Sequence, residues 1–242
     1  MLTAIITGAT GGIGEAIAKK LAEQGYQLAL LYGHNHIKAK EMEKELSKIT
    51  RVKIYAIDFK DHLHIQEKMN QVLLDFQAFD CVIHGAGKSY RNLFHEMEDF
   101  QFEDLIEVNL KPLYYVTKAI LPSMLARGKG NIIGISSIWG ANAAAMEVAY
   151  AMTKGAMEQY IKSLAAELSY MKISVNGIAP GGVDTSILNN LSVKEKEEFI
   201  SDIPFQRLAT PEEIADLVIF LITKGTYITG QIITMDGGFT LN

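Results

Sequence analysis

The sequence predicts an α/β fold in which a doubly wound parallel sheet carries helices on both faces. Short runs of aliphatic and β-branched residues alternate with longer helical patterns along the chain of 242 residues. Several of these runs are almost continuously apolar, as expected for strands that are covered on both faces. A glycine-rich turn directly after the first run is the third observation. Because parallel strands are joined by right-handed crossovers, few other topologies fit this alternation.

Seven segments are predicted as strands and six as helices. The strands are predicted at Leu2–Ile6, Gln27–Tyr32, Val52–Ile57, Asp80–His84, Asn131–Ser136, Lys172–Ile178 and Gln231–Thr234. The helices are predicted near 13–24, 36–48, 62–76, 99–126, 148–170 and 211–222. Thr210 offers a capping hydroxyl before Pro211, which is typical of a helix start, and Pro112 disfavours regular helix within 99–126. No linker-like stretch or repeat divides the sequence, so we expect one domain over residues 1–242.

Composition and charge argue against several classes of protein. Lys and Arg number 23 and Asp and Glu number 28, which gives a formal net charge of −5. This balance argues against nucleic acid or an anionic membrane as the main partner. No apolar run approaches the roughly 20 residues of a membrane span, and no signal peptide is recognisable. Cys81 is the single cysteine, which fits a reducing compartment, so we expect a cytoplasmic protein. We predict no metal site.

The glycine-rich turn has the spacing Gly-x3-Gly-x-Gly at Gly8, Gly12 and Gly14. Glycine allows positive φ and lets a ligand approach the backbone without a Cβ in the way. The helix that begins there presents free N–H groups and the positive end of its dipole, which suits a pyrophosphate. A purely structural turn is the alternative. The position between the first strand and an amphipathic helix favours a dinucleotide site.

The end of the second strand bears on which dinucleotide would bind. Sites of this type that take NAD usually carry an acid there for the ribose 2′-hydroxyl. Here the strand ends at Tyr32 and no acid follows before Glu41. The candidates for contacting a 2′-phosphate are Tyr32, His34, Asn35, His36 and Lys38, and the alternative is that these are solvated loop residues. NADP(H) is therefore the predicted cofactor.

Tyr150 and Lys154 lie one turn apart on the same face of a predicted helix. A tyrosine with an ordinary pKa of about 10 is a poor acid or base near neutral pH, and a neighbouring ammonium favours its phenolate. A Tyr-x3-Lys pair alone is common, and an exposed helix face is the alternative. Ser137, at the carboxyl end of the fifth strand, should meet the glycine-rich turn at the edge where ligands bind. Asn109 is the fourth candidate, in the segment that Pro112 interrupts.

Together with Pro180–Thr185, these motifs resemble the short-chain dehydrogenase/reductase family in its single-domain form. The resemblance runs from the first strand to Asp236-Gly-Gly238. It implies a Rossmann fold with a seven-stranded sheet and a nicotinamide cofactor. It also implies that Tyr150 is the general acid/base and that Ser137 hydrogen-bonds the substrate oxygen. Lys154 would lower the pKa of that tyrosine and bind the nicotinamide ribose, and Asn109 would support a proton relay through water.

The same resemblance implies the cofactor contacts. Asp58 is expected at the adenine, Gly85-Ala86-Gly87 at the adenosine ribose, and Val183 and Thr185 at the nicotinamide end. The full expected set is Gly8, Thr10, Gly11, Gly12, Ile13, Gly14, Tyr32, His34, Asp58, Gly85, Ala86, Gly87, Tyr150, Lys154, Pro180, Gly181, Val183 and Thr185. A segment of about 180–204 is expected to form the substrate loop. His84 stands where the family usually has asparagine, and we expect a structural role for it.

Two groups within the family are similar to this sequence. Its size, its acidic charge and Tyr227-Ile-Thr-Gly-Gln231 look like 3-oxoacyl-acyl-carrier-protein reductases of fatty acid biosynthesis, which reduce a carrier-bound β-keto thioester with NADPH. Carrier protein is acidic, so docking needs exposed cations beside the mouth of the site. Arg127, Lys129 and Lys172 are the candidates for that role.

The segment Ser136–Gly140 with Glu147–Tyr150 looks instead like the bacterial reductases that finish the modification of elongation factor P. Those reduce a 5-aminopentanone group on a lysine, and Glu147 would attract such a cationic substrate. The alternative for Glu147 is a surface acid in a first helical turn. A hypothesis from another class is a non-catalytic, nucleotide-binding redox sensor. The family resemblance further implies a homotetramer with two-fold interfaces, formed in part by helices 99–126 and 148–170.

Overall fold

The computed structural model describes residues 1–186, 188 and 192–241. These residues form seven strands: β1 (Thr3–Thr7), β2 (Gln27–Tyr32), β3 (Val52–Ala56), β4 (Cys81–His84), β5 (Gly130–Ile135), β6 (Ile173–Pro180) and β7 (Ile232–Met235). They also form eight α-helices: α1 (Gly12–Glu23), α2 (His36–Leu46), α3 (His62–Phe76), α4 (Asp99–Asn109), α5 (Lys111–Arg127), α6 (Val148–Leu168), α7 (Val193–Ser201) and α8 (Pro211–Thr223). Every neighbouring pair of strands is parallel, in the order β3-β2-β1-β4-β5-β6-β7. The predicted seven-stranded, doubly wound sheet is confirmed.

The sheet is covered on both faces because its strands are apolar on both faces. In β1, Ile5 and Ile6 are both fully buried but belong to opposite layers. Ile6 packs in the layer formed with α1 and α8, and Ile5 in the layer formed with α3, α5 and α6. Burial on both sides holds the carboxyl ends of the strands in fixed register, and these ends carry the site described below.

The predicted long helix 99–126 is two helices. α4 ends at Asn109 and α5 begins at Lys111, with Pro112 in its first turn. The proline ring has no N–H to bond to the carbonyl one turn back, so the helix restarts there. In the described part of the chain, no helix is both long enough and apolar enough to cross a membrane.

The predicted substrate loop, 180–204, contains the helix α7, which the sequence analysis missed. Ser192 and Glu195 form a capping box at its start, in which each side chain accepts the other residue's backbone N–H. Ser-x-x-Glu is a recognisable start signal, so the sequence did carry this information. Positions 187 and 189–191 of the predicted loop lie outside the described residues.

Candidate active site

A cavity of about 580 Å³ opens at the carboxyl ends of the strands. It lies where the chain reverses its direction across the sheet, between β1 and β4, which is where doubly wound sheets bind ligands. Every residue of the full expected cofactor set lines this one cavity, and so does Ser137. Asn109 and two of the candidates for a 2′-phosphate, His36 and Lys38, are not among the lining residues.

The glycine-rich turn forms the floor of the cavity by close backbone packing. Gly8 has a φ of +67°, and a Cβ there would lie 2.6 Å from the backbone of Ala86. A Cβ at Gly14 would lie 2.3 Å from the carbonyl oxygen of Gly8. Gly11 is the N-cap of α1 and provides no capping side chain, so the first N–H groups of that helix remain available to an anion. A side chain at these glycines would fill the space above the backbone. Without side chains there, the turn is a cradle with room for a pyrophosphate.

The five candidates for contacting a 2′-phosphate, all at or after the end of β2, differ in their surroundings. Tyr32, His34 and Asn35 line the cavity, and the Tyr32 hydroxyl lies 2.6 Å from Nδ1 of His36. The Asn35 side chain accepts the backbone N–H of Lys38 and so caps α2. The Lys38 ammonium lies 2.9 Å from the Glu15 carboxylate, so its charge is already paired.

Ser137, Tyr150 and Lys154 converge at the opposite end of the cavity. Tyr150 lies in the first turn of α6 and Lys154 in the next, with the Lys154 ammonium 5.6 Å from the centre of the Tyr150 ring. The same ammonium donates to the carbonyl oxygen of Ile135 at 2.8 Å. Ser137 follows the end of β5 and lies close enough to Tyr150 to influence the pKa of its phenol. The sheet edge and the helix start therefore bring together three residues that lie up to 17 positions apart in the sequence.

Burial sets the ionisation of this group. It raises the pKa of Tyr150 to about 12, with a small further increase from the Glu147 charge, while the hydrogen bond with Ser137 works in the opposite direction. Burial also lowers the pKa of Lys154 to about 8. At neutral pH the phenol is therefore protonated and the amine is mostly charged. Lys154 is not among the groups that shift the pKa of Tyr150 here, so the expectation that it lowers this pKa stays a prediction.

Asn109 is buried behind the cavity and connects two of its walls. Its side-chain oxygen accepts the Lys88 backbone N–H at 2.9 Å, and its amide donates to the Lys88 carbonyl and to the Thr153 hydroxyl. Thr153 in turn donates to the backbone carbonyl of Tyr150 at 2.8 Å. These contacts fix the loop after β4 against the helix that carries Tyr150. The predicted role of Asn109 in a proton relay remains a prediction.

The rim of the cavity contains charged residues that the sequence analysis missed. The Lys88 ammonium and the Tyr90 hydroxyl both bond to the Asp104 carboxylate. Lys60 lies 3.7 Å from Asp104 and 3.5 Å from Glu107. These contacts join the loops after β3 and β4 to α4. No sequence motif marks them, because each partner is an ordinary surface charge until the fold brings the loops together.

The comparisons with known proteins agree with this geometry. A family model described as enoyl-(acyl carrier protein) reductase matches residues 8–240. The chain belongs to the short-chain dehydrogenase/reductase family. An uncharacterized oxidoreductase, YmfI, of Bacillus subtilis (strain 168) is 38% identical over 239 residues, which cover 98% of each chain. The 3-oxoacyl-[acyl-carrier-protein] reductase of Buchnera aphidicola subsp. Schizaphis graminum is 35% identical over 237 residues, covering 98% of this chain and 96% of the relative.

Two further similarities come from the same group of short-chain dehydrogenases/reductases. The 3-oxoacyl-[acyl-carrier-protein] reductase of Staphylococcus aureus (strain N315) is 34% identical over 239 residues, covering 98% of this chain and 97% of that protein. The crystal structure of 3-oxoacyl-[acyl-carrier protein] reductase from Brucella melitensis superposes with a TM-score of 0.90 at 28% identity, covering 98% of this chain and 90% of the other.

His84 is the visible departure from the pattern of short-chain dehydrogenases/reductases, and it is a buried residue at the end of β4. Its Nε2 lies 2.8 Å from the Thr117 hydroxyl, to which the Tyr160 hydroxyl also bonds at 2.7 Å. Burial lowers the pKa of His84 to about 3, so the imidazole is neutral at physiological pH. His84 is not among the residues that line the cavity. Its place in the structure fits the predicted structural role.

The predicted docking cations of this short-chain dehydrogenase/reductase lie at the sheet edge opposite the candidate active site of the same chain. Arg127 and Lys129 precede β5 and pair with Asp80, and Lys172 precedes β6. These positions lie at the amino ends of the strands, whereas Ser137 lies at the carboxyl end. A strand of six residues spans about 20 Å. Within one chain these cations therefore lie far from the mouth of its own site, and their role in docking a carrier stays a prediction.

Proposed function

We propose that the chain is an NADPH-dependent reductase of ketones, with Tyr150 as its general acid. The observation that carries the proposal is the convergence of Ser137, Tyr150 and Lys154 on the wall of a cavity whose other end is a glycine cradle. The cradle fits a pyrophosphate, and the glycine turn and Tyr150 line the same cavity of about 580 Å³. The relatives that are named as reductases support the same class of reaction.

Each residue of the site has a different role in the reduction of a substrate carbonyl. When bound, NADPH would supply a hydride for the carbonyl carbon, and the residues of the site would then have to stabilise and protonate the carbonyl oxygen. Ser137 would donate a hydrogen bond to that oxygen, which stabilises the developing charge. Tyr150 holds its proton at neutral pH and gives it to the oxygen. Lys154 binds the nicotinamide ribose and keeps a positive charge beside the phenol.

The preference for NADPH is part of this proposal. It rests on the uncharged end of β2, where Tyr32 stands in place of an acid, and on His34 in the cavity wall. Titration of the purified protein with each cofactor, followed by fluorescence, tests it. Tighter binding of NADH than of NADPH would contradict the preference. In Tyr32→Asp the ratio of the two dissociation constants should move towards NADH, because a carboxylate repels the 2′-phosphate.

The first candidate substrate is a 3-oxoacyl group on acyl carrier protein. Relatives that are named for this activity match the chain over nearly its full length at 34–35% identity. Purified protein should then oxidise NADPH in the presence of acetoacetyl-acyl-carrier-protein. A small free ketone is the control that shows whether the carrier adds to turnover.

A second candidate, the 5-aminopentanone group on elongation factor P, is favoured by the charges around the mouth. The cations that follow the carboxyl ends of β4 and β6 are paired: Arg91 with Glu195 at 2.7 Å, and Lys196 with Asp184 at 3.2 Å. Glu147 is close enough to raise the pKa of Tyr150 and accepts a hydrogen bond from Ser89. A half-buried carboxylate near the acid that protonates the ketone suits a cationic substrate better than an acidic carrier.

Glu147→Gln separates the two candidates. If the substrate is an aminopentanone, the variant should lose catalytic efficiency on modified elongation factor P and keep it on an acetoacetyl thioester. If the substrate is carrier-bound, the variant should behave like wild type on acetoacetyl-acyl-carrier-protein, and elongation factor P should not be reduced. A wild-type protein that binds NADPH but reduces no carbonyl compound would favour the non-catalytic redox sensor.

We also propose a homotetramer with two-fold interfaces. On the α4–α6 side, Phe100, Tyr114 and Met152 are exposed. On the other side, β7 is an edge strand, and Tyr227 beside it is exposed. Two separate apolar surfaces suit two kinds of isologous contact. Light scattering should give four times the chain mass, and a stable monomer at micromolar concentration would contradict the proposal.

A further inference from the structure

Glu158 is a buried carboxyl group in the middle of α6, two turns after Tyr150. Its side chain is 5% exposed, and the ion pairs of the described residues do not include it. Its Oε1 accepts a hydrogen bond of 3.0 Å from the Ser136 hydroxyl, which is buried as well. Burying a carboxyl group with so few partners costs stability. Its position beside the residue that precedes Ser137 indicates what the group does.

The Glu158 carboxyl group packs against a short turn, Ile138–Gly140, which follows Ser137. A Cβ at Gly140 would lie 2.3 Å from Oε1 of Glu158 and 2.9 Å from the Ser136 hydroxyl. The backbone of Gly140 therefore packs directly on this hydrogen-bonded pair. Gly155, on the same helix, makes a matching close approach, because a Cβ there would lie 3.1 Å from the Gly140 carbonyl. The turn is held against α6 at both points.

The Ile138–Gly140 turn is also hydrogen-bonded to Ser137. The backbone N–H of Trp139 donates to the Ser137 hydroxyl oxygen at 3.3 Å, and the N–H of Gly140 donates to the Ser137 carbonyl at 2.9 Å. Because the Ser137 oxygen accepts this N–H, the position of the Ser137 hydroxyl depends on the position of the turn. A shift of the turn would therefore shift the group that is proposed to meet the substrate oxygen.

We infer that Glu158 is a positioning residue for the Ser137 hydroxyl, acting through Ser136 and the Ile138–Gly140 turn. The inference rests on the proposed reductase function and adds a residue that does not touch the substrate. It acts by hydrogen bonding and packing. A group of the same shape that can still accept the Ser136 hydroxyl should therefore preserve its effect, and an apolar group should not.

Three variants and one control test this inference on the full-length protein. Glu158→Gln keeps the shape and an accepting oxygen, Glu158→Leu removes the acceptor, and Ser136→Ala removes the donor. The control is Glu167→Gln, an exposed acid on the same helix. Ser136→Ala deletes a single oxygen, so it gives an answer even where Glu158→Leu fails to fold.

The expected result is a loss in kcat without a loss in binding. Misplacing a reacting or stabilising group by a fraction of an ångström costs rate, so Glu158→Leu and Ser136→Ala should lower kcat by about tenfold. The KM for the ketone and the dissociation constant of NADPH should stay within about twofold. Glu158→Gln and the control should keep wild-type kcat. A role limited to stability would lower the melting temperature and leave kcat unchanged at a temperature well below it.

Crystal structures of wild type and Ser136→Ala give a second measurement that does not need turnover. We expect the Ser137 hydroxyl to lose its contact with the Trp139 N–H in the variant and to keep it in wild type. If wild type reduces no ketone, the proposed function fails, and the structures still decide the inference. Unchanged kcat in both Ser136→Ala and Glu158→Leu, or an unmoved Ser137, would overturn it. A loss in Glu158→Gln as large as in Glu158→Leu would also overturn it, since charge would then be the cause.

Discussion

The two ends of the cavity are built in different ways. At the cradle end, Gly8 and Gly14 form the surface with backbone atoms, and their lack of side chains is the functional property. At the chemical end, Ser137, Tyr150 and Lys154 present side chains that come from two elements, the end of β5 and α6, and the Lys154 ammonium is held by the Ile135 carbonyl, 19 positions away. A binding surface made of backbone is specified locally, by residue spacing. A catalytic surface made of side chains depends on the packing of several elements.

The same difference appears in the electrostatics. The cradle provides partial charges from N–H groups that do not titrate. The chemical end depends on two groups whose pKa values burial has moved in opposite directions, that of Tyr150 upwards and that of Lys154 downwards. The cradle should therefore respond to shape and be insensitive to pH. The chemical end should respond to single atoms and to pH.

The largest expected effect is at the chemical end. Tyr150→Phe removes one oxygen and should lower turnover of the best ketone substrate by about 10²–10⁴-fold, the usual contribution of a placed acid. NADPH affinity and the melting temperature should stay close to wild type, because the cradle is untouched. Steady-state kinetics with fluorescence titration of NADPH measure both. If the variant keeps more than about a tenth of wild-type turnover, Tyr150 is not the general acid.

The cradle should show the reverse pattern. In Gly14→Ala the new Cβ would lie 2.3 Å from the Gly8 carbonyl oxygen, so the turn must move. Overpacking of this kind costs about 1–3 kcal/mol, which corresponds to roughly 10–100-fold in NADPH affinity if the strain appears on binding. Turnover at saturating NADPH should fall far less than in Tyr150→Phe. Titration calorimetry measures the affinity.

Gly33→Ala is the matched control for the cradle. Gly33 also lines the cavity, but a Cβ there would meet nothing within 4 Å. Its NADPH affinity should therefore fall much less than that of Gly14→Ala, because the protein backbone does not have to move. Equal losses in Gly14→Ala and Gly33→Ala would mean that the close backbone packing of the turn is not what makes the cradle.

A smaller expected effect is a pH dependence of NADPH affinity, which only the chemical end should cause. Lys154, with its pKa lowered to about 8 by burial, is charged below that pH and neutral above it. Its attraction for the bound cofactor should therefore be present at pH 7 and be lost as the pH rises through 8. NADPH affinity should fall by roughly three- to tenfold between pH 7 and pH 9. Fluorescence titration across this range measures it.

Lys154→Arg tests the cause of that pH dependence. A guanidinium stays protonated throughout the range, so the affinity of the variant should be independent of pH even if it is weaker overall. A wild-type affinity that does not change between pH 7 and pH 9 would show that Lys154 keeps its charge when the cofactor is bound.

Sequence analysis predicted the cradle better than the chemical end for this physical reason. The seven strands and the glycine spacing are local signals, and both were found in the structure. Ser137, Tyr150 and Lys154 were candidates from helix spacing and from the end of the fifth strand, and only their individual roles came from the family resemblance. The structure places the three residues on one cavity wall. Glu158 has no local signal, since its function depends on Ser136, 22 positions away. The same holds for the contact of Asn109 with Thr153, 44 positions apart. The capping box of α7, by contrast, is a local signal that predicts the start of this helix.

The smallest effect concerns His84, which lies between the two ends beneath Gly85. In the folded protein its pKa is about 3 because of burial, whereas an unfolded histidine titrates near 6.5. Below pH 6.5 the unfolded chain takes up a proton that the folded protein does not, so the free energy of unfolding must fall as the pH falls. This one group contributes at most about 1.4 kcal/mol per pH unit. Denaturant unfolding at several pH values between 6.5 and 4.5 measures the slope.

Comparison with two variants isolates the contribution of His84 from that of the carboxylates. Asparagine does not titrate, so the stability of His84→Asn should fall less steeply than that of wild type over the same pH range. His95→Asn, at an exposed position, should follow the wild-type slope. A slope for His84→Asn equal to that of wild type would mean that the native protein admits a proton to His84. In that case the layer between the cradle and the chemical end would be less tightly closed to water than its burial indicates.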